Sequence, residues 1–351
     1  MEVYLKAYYR MNLGDDMFVK CIAERYPEVT FRVYADRRYL AAFEGIRNIK
    51  AYPCLYAKID RASEIFGLHP FVDRLLLNHS DTVVYIGGSV FIEPKDGTVF
   101  PSLTSQGDMY YIGCNFGPYR TERYLKYVYE SLRSASDVCF RDSYSYGLFK
   151  ELPQARMAPD VLFGYPSYPQ KKKGSGVAFS VIDPSARSGL EISAEEYYDE
   201  VAEAIRSCAS EKKRVALFSF CSYEGDDSAI EKIVSRINGI NVDIFSYNGD
   251  ISGFLNRLND CECIVATRFH AMVIGWMLSK KVLPVVYSAK QTNVINDIGF
   301  TGAVRNLTKK GTRSLSELLK KYLSEPVGFD VGQLSAEAEN QFCVTDRLFI
   351  K

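Results

Sequence analysis

Short apolar runs alternate with amphipathic stretches along most of the 351-residue chain. The apolar runs have the length of single β-strands, and the stretches between them have the residue spacing of helices. Such alternation favours parallel strands joined by right-handed crossovers, so the sequence predicts an α/β fold with parallel sheets. The clearest predicted strands are 3–9, 30–34, 49–53, 82–86, 109–114, 137–140, 177–182, 214–220, 242–246, 263–266 and 282–287. The clearest predicted helices are 15–25, 36–45, 121–134, 194–207 and 226–237.

This alternation is interrupted near residues 165–176, where two prolines, three successive lysines and Gly-Ser-Gly are typical of a solvated linker. A chain of this length also exceeds what one ordinary core organises. We therefore predict an N-terminal Rossmann-like domain over 1–168 and a C-terminal one over 175–325. The last segment, 326–351, could form a helix that packs back on the first domain.

The charge and cysteine patterns exclude several classes of protein. Basic and acidic residues are equal in number, 43 each, so no overall field attracts nucleic acid and any bound anion needs local positive groups. The nine cysteines are scattered and only three histidines accompany them, so we predict neither a metal site nor a disulfide scaffold. The N-terminal residues lack the apolar core of a signal peptide, and no uncharged run approaches the roughly 20 residues of a membrane span. We expect a cytoplasmic protein, and contact with the inner face of the membrane stays open.

The most informative polar residues follow the predicted strand that ends at Ala266. Arg268 and His270 lie at its carboxyl end, in the first turn of the next helix, where backbone N–H groups and the helix dipole favour an anion. The alternative is that Arg268 pairs with a nearby carboxylate and His270 is a hydrogen-bonded core residue. Lys290 follows the next predicted strand, so it can face the same pocket if the two strands are neighbours. The alternative is a solvated loop lysine.

Strand ends in the first half of the chain carry further candidates. The loop after the first strand has Asn, Gly and Asp, which cap a helix or hydrogen-bond a sugar, and the glycines after residue 86 let a ligand approach the backbone. The candidate residues of this half are Asn12, Gly14, Asp15, Gly87, Gly88, Ser89, Asn115 and Arg141. Arg141 ends a strand, and it either enters a ligand cleft or pairs with neighbouring groups.

Taken in order, these short motifs resemble the polysaccharide pyruvyl transferase family. They are Asn12 to Asp15, Gly87 to Ser89, Gly113 to Pro118, Arg141 to Ser145, Pro159-Asp160, Arg268 to Ala271 and Lys290. The resemblance runs from about residue 10 to residue 300, most of the chain. Met11 stands where the family usually has Gly, and Phe269 where it commonly has Leu. The resemblance implies a GT-B-like architecture, two Rossmann-like domains facing across a cleft.

The resemblance also implies an activity. Such an enzyme transfers pyruvate from phosphoenolpyruvate onto two hydroxyls of a sugar, forming a cyclic ketal in a bacterial surface polysaccharide or cell-wall polymer. The acceptor would bind the first domain and phosphoenolpyruvate the second, with Arg141, Arg268 and Lys290 holding the donor and no cofactor required. His270 is the candidate general acid or base, and Asp15 the candidate for activating or orienting an acceptor hydroxyl.

Two other functions stay open on the residues alone. A nucleotide-sugar glycosyltransferase on the same fold would use the same cations, but it should also place an acidic residue for the ribose after a second-domain strand. Asp260 and Glu262 lie before their strand, which disfavours that function. A non-catalytic sugar- or anion-binding module is disfavoured by the joint presence of Arg268, His270 and Lys290. The sequence specifies neither the acceptor sugar, its linkage to lipid, nor the oligomeric state.

Overall fold

The computed structural model describes residues 1–65, 71–95, 100–311, 313–324 and 329–350, which form two compact units. The first unit comprises Met1–Tyr9, Asp15–Gly164 and Ser335–Lys351, and the second comprises Arg10–Gly14 and Tyr165–Leu334. The predicted boundary at residues 325 and 326 lies outside the described residues. Each unit is defined by its compact packing and not by a function, so the functional domains 1–168 and 175–325 stay predictions.

The first unit contains a parallel sheet covered by helices. Its strands are β1 (Glu2–Lys6), β2 (Thr30–Val33), β3 (Ile49–Ala51), β4 (Thr82–Ile86), β5 (Asp108–Cys114), β6 (Asp137–Phe140) and β7 (Ala155–Met157). The helices along this part of the chain are α1 (Leu13–Arg25), α2 (Cys54–Ile65), α3 (Val72–Asn78), α4 (Glu122–Leu132) and α5 (Ser143–Phe149). The sheet order is β3-β2-β1-β4-β5-β6-β7 with every pair parallel. The order reverses between β1 and β4, and open α/β sheets bind ligands beyond the strand ends at such a reversal.

The second unit repeats this design. Its strands are β8 (Val177–Ser180), β9 (Val215–Ser219), β10 (Asp243–Ser246), β11 (Cys263–Ala266), β12 (Lys281–Val286) and β13 (Arg305–Asn306). Its helices are α6 (Ala194–Ser210), α7 (Asp226–Val234), α8 (Ile251–Asn259), α9 (Phe269–Met277), α10 (Ala289–Asp297) and α11 (Leu315–Ser324). The sheet order is β10-β9-β8-β11-β12-β13, again parallel, with the reversal between β8 and β11.

The elements beside the second reversal are buried on every side. β8 and β11 are apolar runs without an exposed residue, as expected for parallel strands that helices cover on both faces. Every residue of α9 except His270 is buried, so this helix lies in the core instead of on the surface. The packing therefore fixes both the carboxyl end of β11 and the first turn of α9.

One predicted helix is wrong. Residues 36–45 form two short 3-10 helices, Arg37–Tyr39 and Ala41–Phe43. Their hydrogen bonds join residues three apart, and Leu40 between them has φ −101° and ψ 7°, outside the helical range. The Asp36 side chain accepts from the backbone N–H of Arg38, which favours a tight turn over a continuous helix.

The described helices include none that is both long and apolar enough to cross a membrane.

The C-terminal segment completes the first unit through helices α12 (Gly332–Ala338) and α13 (Cys343–Phe349). Between them, the fully buried side chain of Gln341 bridges strand β5 and the loop that follows β7. Its Oε1 accepts from the N–H of Gly113, and its Nε2 donates to the carbonyls of Ala158 and Pro159, each at 2.9 Å. Gln341 therefore holds the loop that leads to Asp160, a residue of the site described below.

We expect Gln341→Leu to lower the free energy of unfolding by about 3 kcal/mol, because two buried backbone groups and a partly buried one lose their partners. Urea denaturation would measure the change. The matched control is Gln333→Leu at an exposed position, expected to stay within about 0.5 kcal/mol of wild type. Equal effects of the two substitutions would contradict the assignment.

Candidate functional site

The reversal of the second sheet brings two strand ends together. Ser180 ends β8 and Ala266 ends β11, and the two residues pair directly in the parallel register. Beyond them, the backbone N–H of Thr267 donates to the Ser180 carbonyl and that of Arg268 to the Ser180 hydroxyl, both at 3.1 Å. The start of α9 is thus tied to the neighbouring strand, in the position where this fold class binds ligands.

Arg268 occupies the N-cap of α9 with an extended backbone and a buried side chain. Its Nε lies 2.9 and 3.1 Å from the two carboxylate oxygens of Asp226, and its Nη2 donates to the same carboxylate. The remaining nitrogen, Nη1, donates to Glu224. The carboxylate pairing that the sequence left open is therefore present, and two carboxylates share one guanidinium.

Glu224 is the point where three donors converge. One oxygen, Oε2, accepts from Nη1 of Arg268 and, at 2.7 Å, from Nη2 of Arg187. The other, Oε1, lies 3.4 Å from the amide nitrogen of Asn12. Arg187 also lies over the ring of Tyr287, 5.5 Å from its centre. Two arginines and an amide thus already hold a carboxylate, which is the geometry that recognises a carboxylate or phosphate ligand.

The two carboxylates differ in their protonation. Burial acts to raise the pKa of Glu224, but the charge of Arg268 and the hydrogen bonds from Arg268 and Arg187 outweigh burial and lower the pKa to about 2. At Asp226 burial dominates and raises the pKa above its ordinary value, although Arg268 acts in the opposite direction. Glu224 therefore stays ionised to a lower pH than Asp226.

Arg187, Glu224 and Asp226 are absent from the residues predicted from the sequence. Arg187 comes after β8, and the two carboxylates come after β9. Their positions beyond the ends of predicted strands are the signal that could have identified them. No periodicity or motif in those loops, however, indicates that they meet Arg268.

His270, the second residue of α9, is partly buried, and its ring packs directly against Gly14. A Cβ built on Gly14 would lie 1.7 Å from Nδ1 of this histidine, so no larger residue fits. The loop before Gly14 is held by the Leu13 N–H, which donates to the Phe220 carbonyl at 3.1 Å. Asn12 also caps the turn, because its Oδ1 accepts from the Gly14 N–H at 3.2 Å.

Lys290 lies in the first turn of α10, after β12, and is partly buried. β12 is the parallel neighbour of β11, which meets the condition set by the sequence for Lys290 and Arg268 to follow adjacent strand ends. Its role in binding a ligand stays a prediction.

The first unit has a buried arginine of its own at a strand end. Arg141 follows β6, and its side chain is 2% exposed. Its Nη1 donates to Asp160 and its Nη2 to the Asn115 side chain, both at 2.8 Å. A Cβ on Gly88 would lie 2.3 Å from Nη2, so the guanidinium fills the space above that glycine. The structure thus joins Arg141, Asn115 and Gly88 in one cluster.

The remaining first-unit candidates surround the reversal between β1 and β4. Asp15 is partly buried in the first turn of α1, and a Cβ on Gly87 would lie 3.9 Å from its Oδ1. Ser89 is exposed and directly follows the two glycines. Within the described ranges, no group of three or more His, Cys, Asp or Glu residues could hold a metal ion.

Comparison with known proteins decides the family. A family model described as polysaccharide pyruvyl transferase matches residues 12–289, more than half of the chain. The chain belongs to the polysaccharide pyruvyl transferase family. The match includes Arg141, Arg268 and His270 and ends one residue before Lys290. The resemblance predicted from the motifs is therefore confirmed. Membership of this family supports a transferase that pyruvylates polysaccharide.

Solved structures show the fold of this family member. HepE from Anabaena, in complex with UDP and glucose, has a TM-score of 0.55 and 10% identity over 99% of this chain and 95% of that chain. A UDP-GlcNAc 2-epimerase from Neisseria meningitidis has a TM-score of 0.52 and 10% identity over 100% of this chain and 99% of that chain. TarM has a TM-score of 0.53 and 9% identity over 98% of this chain and 95% of that chain. These likenesses confirm the predicted α/β, GT-B-like fold class. A comparison with curated protein sequences finds no match.

The contact between Gly14 and His270 leads to a prediction about packing. We expect Gly14→Ala to displace the His270 ring and to lower the free energy of unfolding by about 1–3 kcal/mol, the usual cost of overpacking. Thermal unfolding and the NMR signals of the imidazole would report the two effects. The matched control is Gly147→Ala in α5, where a Cβ meets nothing within 4 Å and the helix should gain stability. An unmoved imidazole in Gly14→Ala would contradict the packing.

The depressed pKa of Glu224 predicts a pH dependence of stability. Because the folded pKa is about 2 and the ordinary value is 4.5, the ion pairs stabilise the fold above pH 4.5, and their contribution is lost as the pH falls towards 2. Over that range, the free energy of unfolding should fall more steeply for wild type than for Glu224→Gln. Urea denaturation at a series of pH values would measure both slopes, and parallel slopes would refute the assignment.

Proposed function

We propose that this protein transfers the pyruvyl group of phosphoenolpyruvate onto two hydroxyls of a sugar, forming a cyclic ketal. The observation that carries the proposal is the convergence of Arg187, Arg268 and Asn12 on one carboxylate at the sheet reversal, where the helix that carries His270 begins. Family membership supplies the reaction class, and the cluster supplies donors suited to an oxyanion.

Phosphoenolpyruvate carries a carboxylate and a phosphate, so its site needs several cations close together. In the second unit we assign this role to Arg187, Arg268 and Lys290. Arg187 and Arg268 end in planar forks that suit either oxyanion, whereas Lys290 contributes a mobile point charge. Arg141, the donor ligand predicted in the first unit, is buried against Asp160 and Asn115, so the proposal does not depend on it. We propose that the reaction needs no cofactor, because these cations can neutralise the leaving phosphate.

The reaction proceeds through defined bond changes. The methylene carbon of phosphoenolpyruvate accepts a proton and becomes a methyl group, and a sugar hydroxyl attacks the adjacent carbon and loses its proton. The C–O bond to phosphate then breaks, and phosphate leaves with the bonding electrons. A second hydroxyl of the same sugar attacks the same carbon and loses its proton, which closes the ketal.

We assign a general acid or base role in this reaction to His270, because imidazole is the side chain that most often transfers protons in enzymes. The His270 ring packs against Gly14, which restricts where the ring can lie. The other residues of α9 are buried, so the helix fixes the position of the His270 backbone. For the acceptor we propose the first unit, with Asp15 orienting a hydroxyl and the exposed Ser89 as a second contact. We expect the acceptor to be part of a bacterial surface polysaccharide or cell-wall polymer, free or lipid-linked.

A nucleotide-sugar glycosyltransferase is the second candidate, and one observation favours it. Glu224 follows the carboxyl end of β9, where such an enzyme would need an acidic residue for the ribose hydroxyls. That carboxylate is engaged by two arginines, however, and a charge held this way is a poor partner for neutral hydroxyls. The test below therefore includes UDP-sugars as donors.

The decisive experiment measures phosphate release from phosphoenolpyruvate with a panel of free and lipid-linked glycosides. We expect acceptor-dependent release, and we expect His270→Gln to lower kcat by about 100-fold or more while phosphoenolpyruvate still binds. His79→Gln, an exposed histidine of the first unit, is the matched control and should retain wild-type turnover.

One outcome would overturn the role of His270, and another would overturn the proposed function itself. Near-normal turnover in His270→Gln would remove that residue from the chemistry. Absence of both binding and release with phosphoenolpyruvate, together with sugar transfer from a UDP-sugar, would favour the glycosyltransferase instead.

A further inference from the structure

The two carboxylates on Arg268 are held in different ways. Asp226 is fully buried, and besides Arg268 it accepts from the backbone N–H groups of Phe220 and Cys221, each at 3.0 Å. Glu224 is 22% exposed, and its partners are the side chains of Arg187, Arg268 and Asn12. Asp226 is therefore part of the framework, whereas Glu224 reaches the same arginine from a partly solvated position.

The backbone between the two carboxylates allows one to move without the other. Glu224 ends a single 3-10 turn, Ser222–Glu224, and Gly225 follows with φ +88°, a left-handed conformation that glycine adopts at little cost. Asp226 then begins α7, and its carboxylate is anchored by the backbone N–H groups of Phe220 and Cys221. A rotation about Gly225 can carry Glu224 away while Asp226 keeps Arg268 in place.

The donors that Glu224 occupies would remain in place after it left. Arg268 would keep its contacts to Asp226 and present Nη1, and Arg187 would present Nη2. The Nε of Arg187 is also buried and makes no hydrogen bond within the described part of the chain. With Glu224 bound, two arginines face two carboxylates, and without it the cluster carries a net positive charge that attracts an anion.

We propose that Glu224 is a displaceable occupant of an oxyanion site formed by Arg187, Arg268 and Asn12, and that an oxyanion of the donor takes its place. The inference rests on the proposed function for the identity of the donor, but not for the existence of the site. Glu224 competes with the anion for the same site and is tethered to it by the chain. The apparent affinity for the anion is therefore the intrinsic affinity multiplied by the fraction of molecules in which Glu224 has left the site. While Glu224 is bound, anions of low affinity do not displace it from the two arginines, and only a ligand of higher affinity does.

The test compares the binding of inorganic phosphate, pyruvate and phosphoenolpyruvate to wild type and Glu224→Gln by isothermal titration calorimetry. The amide removes the competing charge while keeping the shape of the side chain. We expect Glu224→Gln to bind phosphoenolpyruvate about tenfold more tightly, within the usual range of coupling between competing interactions. Phosphate and pyruvate identify which oxyanion of the donor takes the site, because only the matching ion should gain affinity.

The matched control is Glu195→Gln, an exposed carboxylate of the same unit that pairs with Arg236. It makes the same change in net charge and should leave every affinity unchanged. Circular dichroism of both variants would establish that they are folded.

Three outcomes decide between the inference and the proposed function. Equal or weaker binding of phosphoenolpyruvate to Glu224→Gln would overturn the inference and leave the proposed function standing. Tighter binding of phosphate or pyruvate, with no binding of phosphoenolpyruvate to either protein, would support the oxyanion site and count against the donor. Tighter binding in Glu195→Gln as well would overturn the inference, because net charge would then explain the gain.

Discussion

The buried ion pair between Arg268 and Asp226 organises the second unit. Removing one partner of such a pair leaves an uncompensated buried charge and typically costs about 3–5 kcal/mol. Here the desolvation of Asp226 is offset by two backbone N–H groups as well as by the arginine. Because Arg268 also occupies the N-cap position of α9 and its backbone N–H donates to the Ser180 hydroxyl, the pair connects the ends of β8, β9 and β11. The orientation of the site follows from these contacts.

This arrangement separates a fixed charge from adjustable ones. Asp226 holds Arg268 through Nε and Nη2, and the remaining nitrogen, Nη1, donates to the partly exposed Glu224, where we propose that the donor binds. Arg187 lies on the loop after β8 and is 25% exposed, so it can adapt to the shape of an anion. A site built this way needs no net positive charge in the whole chain, in agreement with the equal numbers of basic and acidic residues.

How well the sequence predicts a contact depends on how far apart the two residues lie along the chain. Arg268 and His270 could be found because strand, strand end and helix start all lie within one short stretch of chain. The partners of Arg268 lie 42 and 44 residues away, and only the pairing of β8, β9 and β11 brings them together. Local rules also fail at 36–45, where helical spacing is present but the cap at Asp36 favours i to i+3 hydrogen bonds. The prediction of an α/β fold is correct despite such errors, because it rests on many strand–helix alternations along the chain.

Two glycines show why motifs that are short and separate in sequence belong together. From sequence, Gly88 is interpreted as room for a ligand, but the guanidinium of Arg141 fills that room, and Gly14 has the same relation to His270. Neither glycine has the left-handed φ that would make it a turn requirement. Each is needed because a side chain from a distant motif, Arg141 or His270, packs where its Cβ would be. The first and sixth motifs, and likewise the second and fourth, therefore form one steric constraint each, and a substitution in either member is felt by the other.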